Sequence, residues 1–190
     1  MKIAVFLERD GILNVTTKRN GQPVSPLTFG EFELNPAAAE PLNRLREAGL
    51  VLIATTNQPG ISQGVLRRRE LDLMHDYLNR EFDLDEILVC PHDGADECPC
   101  RKPRAGMLHE AAFKWHLDLD HSYVVSDKWQ DARAAHLAGC TSLLLESPWT
   151  ESGHRDFLLP SLDVIATKII EMHGFAQRIK PMVPQFEGVA

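Results

Sequence analysis

Long hydrophobic runs are missing from these 190 residues. The first apolar stretch, from Lys2 to Leu7, stops at Glu8-Arg9-Asp10 and is too short for a secretory signal or a bilayer span. The expected location is the cytoplasm, with no membrane partner. Positive charge is also in short supply, since 20 Lys and Arg face 27 Asp and Glu for a net charge of -7. Nucleic acids and anionic lipid surfaces attract the opposite field, which argues against either as a partner. Cysteine is scarce, four in all, and Cys90, Cys98 and Cys100 crowd into one segment. Crowded cysteines cannot staple distant parts of a chain, so a metal site in a reducing compartment fits better than a disulfide framework. There is no internal repeat and no low-complexity tract.

What is present suffices for one core. With 44% hydrophobic residues the chain fits a single domain, and two full domains would be cramped. Short apolar runs at Lys2 to Leu7, Leu50 to Thr55, Glu86 to Cys90, Ser122 to Ser126 and Thr141 to Leu145 predict five strands. Between them lie helical patterns at Pro36 to Ala48, Arg68 to Glu81, Gly106 to Trp115 and Ala132 to Ala138, several bounded by proline or glycine. Such alternation predicts an α/β protein with a doubly wound, mostly parallel sheet. The domain is expected over residues 1–173. A loosely packed tail is expected over 174–190, which holds two prolines and little periodicity. The stretch from Lys18 to Pro26 reads as polar and turn-rich.

Ligands of such sheets bind where the strands' carboxyl ends converge. Glu8 and Asp10 follow the first strand, Thr56 and Asn57 the second, and Asp127 the fourth. Asp131, four residues further on, reads as a helix N-terminal charge rather than a metal ligand. Trp129 lies in the same loop and either lines the crevice or packs under it. Cys140 reads as a small core hydrophobe. His75, His109, His116, His121 and His136 have no ligand partners nearby in sequence and read as surface or core filling.

The segment Cys90-Pro91-His92 … Cys98-Pro99-Cys100 supplies three thiolates and an imidazole within eleven residues. That set matches a closed tetrahedral zinc site, Cys90, His92, Cys98 and Cys100, with no position left for a reacting water. Its role is then structural, and anchoring Cys100 also fixes Arg101 and Lys102.

Taken together, Glu8-Arg9-Asp10-Gly11, Thr56-Asn57-Gln58, Lys102-Pro103 and Ser126-Asp127-Lys128 resemble the haloacid dehalogenase (HAD) phosphatases. The likeness is to the group containing histidinol phosphatases and heptose 1,7-bisphosphate 7-phosphatases, and it spans Lys2 to about Leu145. The resemblance implies a HAD-like, Rossmann-type fold with a minimal cap and a zinc loop at 90–100. It implies Mg2+ held by Glu8, Asp10 and Asp127, and an acid/base role for Asp10. It also implies phosphate or substrate contacts by Thr56, Asn57, Arg101, Lys102 and Lys128. The implied partner is a small phosphorylated sugar, heptose 1,7-bisphosphate ahead of histidinol phosphate, acted on by a monomer. Without a large cap, the segment Val15 to Pro26 and the zinc loop must select the substrate.

One position departs from the family pattern. Where the family has its nucleophilic aspartate, this chain has Glu8. The extra methylene carries the carboxylate roughly 1.5 Å further, and a misplacement of about 1 Å can cost about a hundredfold in rate. Two readings follow: a phosphatase using Glu8 as nucleophile through an acyl phosphate, or a phosphosugar-binding protein that has lost turnover. Retention of Asp10, a proton donor with little use outside catalysis, favours the first.

Overall fold

In the computed structural model, which describes residues 1–150 and 153–179, the five expected strands form one parallel sheet and a sixth extends it. In chain order these are β1 (Ala4–Glu8), β4 (Val51–Asn57), β5 (Glu86–Cys90), β6 (Tyr123–Ser126), β7 (Thr141–Leu145) and the added β8 (Phe157–Leu159). Between β1 and β4 sits an antiparallel hairpin, β2 (Thr17–Arg19) and β3 (Gln22–Val24), where the sequence shows only polar turn residues. The sheet order is β5-β4-β1-β6-β7-β8. The chain therefore winds outward from β1 to β5, then crosses back to β6 on the other side of β1. The resulting switch point lies between β1 and β6, where a crevice opens at the carboxyl ends.

Helices cover both faces. α1 (Ala39–Glu47), α2 (Arg68–Phe82) and α5 (Leu162–Ile179) pack on one side, burying Leu42, Leu71, Met74 and Ile165 with Val5 and Leu7. α3 (Gly106–Trp115) and α4 (Trp129–Ala138) pack on the other, burying Met107, Ala111 and Ala135 with Ala4 and Phe6. Strand periodicity of two assigns each side chain to a face. By that parity Glu8 follows Ala4 and Phe6 toward α3 and α4, and Asn57 follows Val51 and Ile53 to the same face. Thr56 takes the opposite face.

α5 runs to Ile179, so helix occupies residues that the sequence reading assigns to a tail beginning at 174. The rest of that segment, 180–190, lies outside the described residues. No helix among the described residues is long and apolar enough to cross a membrane.

Candidate active site

The crevice at the switch point is a cleft of about 170 Å3 walled by Glu8, Asp10, Asn57, Arg101, Lys102, Asp127, Lys128 and Asp131. The β2–β3 hairpin and the residues just after it, through Pro23, Val24 and Ser25, form its roof. β1 ends on Glu8, and the following turn needs Gly11, whose φ of +104° excludes other residues at low cost. A Cβ at Gly11 would stand 2.8 Å from Asp127 Oδ2, so this glycine also lets the two catalytic-loop segments approach.

Lys102 is the hub. Its buried ammonium donates to both Glu8 Oε2 and Asp131 Oδ1, the latter at 2.6 Å, and to the Thr55 carbonyl at 3.3 Å. All three charged side chains are almost completely buried. Burial alone would raise the Glu8 pKa, but Lys102 and then Lys128 pull it below the ordinary value, so Glu8 is ionised. Asp131 goes the other way: burial, reinforced by the Glu8 charge, pushes it to about 6 in spite of Lys102. One ammonium shared by two carboxylates favours the pair's ionisation at only one of them. Lys128 adds a second cation, 3.7 Å from Glu8 Oε1 and 3.6 Å from Asp127 Oδ1, and it also donates to the Asp10 carbonyl.

Asp10 is clasped on both oxygens. Oδ1 accepts from Arg9 Nη2 at 2.7 Å and Nε at 3.1 Å, while Oδ2 accepts from Ser25 Oγ at 2.7 Å and Gln58 Nε2 at 2.9 Å. Burial opposes its ionisation, yet Arg9, Lys128 and the Ser25 hydroxyl bring its pKa down to about 2. The Arg9 guanidinium is fully buried, 3.4 Å from His75 Nε2 on α2 and over the Phe32 ring.

Not every expected residue reaches the cleft. Thr56 is fully buried on the other face, where its hydroxyl accepts from Gln58 Nε2 at 2.8 Å. Asn57 lines the cleft but spends its amide on the main chain of Lys102. Arg101 lines the cleft while Nη1 donates to the His92 carbonyl at 3.0 Å. Asp131 stands in the first turn of α4, as expected, but its carboxylate is 1% exposed and accepts from Lys102 Nζ rather than capping the helix. Ser25 had no signal in the sequence and Gln58 only its place beside Thr56 and Asn57, because their contacts with Asp10 exist only in the fold. His75 likewise acquires its partner, Arg9, only in the fold.

Cys90, His92, Cys98 and Cys100 offer ligand atoms that all lie within 4.8 Å of one another. Cys98 Sγ is 3.6 Å from Cys90 Sγ and 3.4 Å from Cys100 Sγ, and His92 Nδ1 is 3.3 Å from Cys100 Sγ. A tetrahedron with metal–sulfur bonds of about 2.3 Å has sulfur–sulfur edges of about 3.8 Å, so the quartet is close to the required size. Gly106 closes the loop against α3: its N–H donates to the Pro99 carbonyl at 3.2 Å.

Two bacterial relatives decide the family. Over 156 residues the chain is 33% identical to D-glycero-β-D-manno-heptose-1,7-bisphosphate 7-phosphatase of Haemophilus ducreyi, covering 76% of this chain and 82% of that protein. The chain belongs to the heptose-bisphosphate phosphatase family. The enzyme of the same name from Escherichia coli is 32% identical over 154 residues, covering 75% of this chain and 78% of the relative. A HAD-hydrolase-like family model matches residues 99–162. Among solved structures, D,D-heptose 1,7-bisphosphate phosphatase from Bordetella bronchiseptica, complexed with magnesium and phosphate, superposes with a TM-score of 0.76 at 27% identity. That match covers 90% of this chain and 99% of the other.

Proposed function

We propose that this chain is a Mg2+-dependent phosphatase that removes the 7-phosphate of D-glycero-D-manno-heptose 1,7-bisphosphate. The observation that carries the reading is a single cleft holding a buried carboxylate, Glu8, between two ammonium groups, beside a second carboxylate fixed from both sides. The relatives' names supply the sugar. Arg101, Lys102 and Lys128 receive the phosphate, and Asn57 holds Lys102 in place.

In the first half-reaction a Glu8 oxygen attacks phosphorus, the bond from phosphorus to the sugar oxygen breaks, and that oxygen takes a proton from Asp10. In the second, Asp10 takes a proton from water as the water oxygen attacks the same phosphorus, and the bond to Glu8 breaks to release phosphate. Without substrate Asp10 is a carboxylate; the negative charge of an arriving phosphate favours its protonation.

Hard oxygen donors suit Mg2+, and the buried Asp127 Oδ1 makes no hydrogen bond among the described residues, although Lys128 Nζ stands 3.6 Å from it. We assign the ion to Glu8, the Asp10 carbonyl and Asp127, the three groups that Lys128 Nζ faces here, so that this ammonium would withdraw as Mg2+ enters, and the ion would supply neutralising charge for the transferred group. Zn2+ is assigned to the Cys90, His92, Cys98 and Cys100 quartet in a structural role, in one domain that includes α5.

The second reading, a phosphosugar-binding protein, is favoured by one fact: Glu8 already satisfies Lys102, the group that a phosphate needs. Phosphate release from heptose 1,7-bisphosphate and from histidinol phosphate, with Mg2+, separates the two. Turnover by the unaltered chain upholds the phosphatase. Turnover only by Glu8→Asp means that the scaffold serves binding.

A further inference from the structure

Beyond the phosphate cleft lies a second, larger hollow of about 560 Å3 that the chemistry above does not use. The two share Pro23, Lys128 and Gln130, so they are successive compartments of one groove under the β2–β3 hairpin. Two indoles wall the outer compartment. Trp129 opens α4 directly after Lys128 and is 37% exposed. Trp149 sits in the connection from β7 to β8.

Trp149 is held rather than loose. Its backbone N–H donates to Ser147 Oγ at 3.2 Å, the Thr150 backbone N–H to the Ser147 carbonyl at 3.1 Å, and Thr150 Oγ1 to the Leu145 carbonyl at 2.9 Å. A turn built on β7 thus presents the ring. On β2, Lys18 brings its ammonium to 5.1 Å from the Trp149 ring centre. The outer compartment therefore combines aromatic surface with Gln22 and Gln130, and Lys18, which does not itself line it, holds a cation over the Trp149 ring.

We infer that this compartment is the sugar subsite, and that Trp129, Trp149 and Lys18 set the choice of substrate. Indole faces pack against the C–H face of a pyranose, amides meet its hydroxyls, and a lysine beside the indole receives a second anionic group. The class so defined is a sugar phosphate that carries another phosphate at its opposite end. A short phosphate monoester fills only the inner cleft. The inference rests on the proposed phosphatase reading for its substrate, but not for its geometry.

The test compares heptose 1,7-bisphosphate, heptose 7-phosphate and glycerol phosphate on the purified, metal-loaded chain. Trp149→Ala and Trp129→Ala are expected to raise KM for both heptose substrates about tenfold with kcat little changed, the signature of lost uniform binding. KM for glycerol phosphate should move less than about twofold. Lys18→Ala should raise KM for the bisphosphate and not for the 7-phosphate. Equal effects on all three substrates, or none on the heptoses, overturn the subsite. If the unaltered chain turns over nothing, tryptophan fluorescence still decides: quenching by the bisphosphate but not by inorganic phosphate, reduced in Trp149→Ala, upholds the subsite while the phosphatase reading fails. Absence of that quenching rejects the subsite as well.

Discussion

The side-chain amide of Asn57 makes both of its hydrogen bonds to the main chain of one residue, Lys102: Nδ2 donates to its carbonyl at 3.0 Å and Oδ1 accepts from its N–H at 3.1 Å. The last residue of β4 thus locks the loop that carries the hub cation onto the sheet. Replacing Asn57 by Ala frees that loop. The expected cost is about 1–3 kcal/mol of stability and on the order of a hundredfold in kcat/KM. Urea unfolding and phosphate release measure the two, and Asn57→Ala with full activity sinks the clamp.

His75 makes a pH prediction. Burial and then the Arg9 charge lower its pKa from 6.5 to about 4, so the folded protein resists its protonation. With the folded value below the unfolded one, the unfolded chain binds more protons in that window. Stability from this group is full above pH 6.5 and is lost as pH falls toward 4. The amount is on the order of 2 kcal/mol after discounting for partial solvent access. His75→Gln should flatten the urea midpoint between those pH values relative to the unaltered chain; an unchanged slope contradicts the assignment.

Gly106 is the joint between the zinc loop and α3. A Cβ there would lie 2.3 Å from the Pro99 carbonyl oxygen, and the nearest atoms it meets are all backbone of Pro99 and Cys100, with no flexible side chain to yield. Gly106→Ala is expected to destabilise the protein by about 2–3 kcal/mol and to weaken metal retention. Thermal unfolding and metal analysis of the purified variant read both.

Removal of the zinc should act on the active site from a distance. Cys98→Ser, or a strong chelator, is expected to release one equivalent of zinc and lower the melting temperature. Because Arg101 is tied to the His92 carbonyl, KM for the phosphate ester should rise as well. Elemental analysis beside kinetics checks this, and full metal content with all four ligands replaced one by one would rule the site out.

The parallel strands were legible because residues buried on both faces of a sheet leave uninterrupted apolar runs, as Ala4 to Leu7 does. β8 was not, since three residues carry no period and Phe157 to Leu159 are strand only beside β7. The hairpin had a readable signal that polarity masked: Asn20 and Gly21, with φ of 52° and 76°, form the Asn-Gly turn that two-residue hairpins favour. In the site, residues at strand ends could be placed from sequence, but their directions could not. Thr56 and Asn57 are neighbours with opposite facings, and only β4's register against β1 decides which one meets the cleft.

Glu8, strung between Lys102 and Lys128, makes the cleft a lock that already contains a key. An anion tethered to the sheet competes with any incoming phosphate at the high local concentration of an intramolecular rival, and salt or dilution cannot wash it away. Binding at this site is consequently an exchange of partners, in which the carboxylate must swing off its cations before a substrate can be held. Shortening that tether by one carbon, as in Glu8→Asp, should therefore tighten inorganic phosphate binding even where no bond is made or broken.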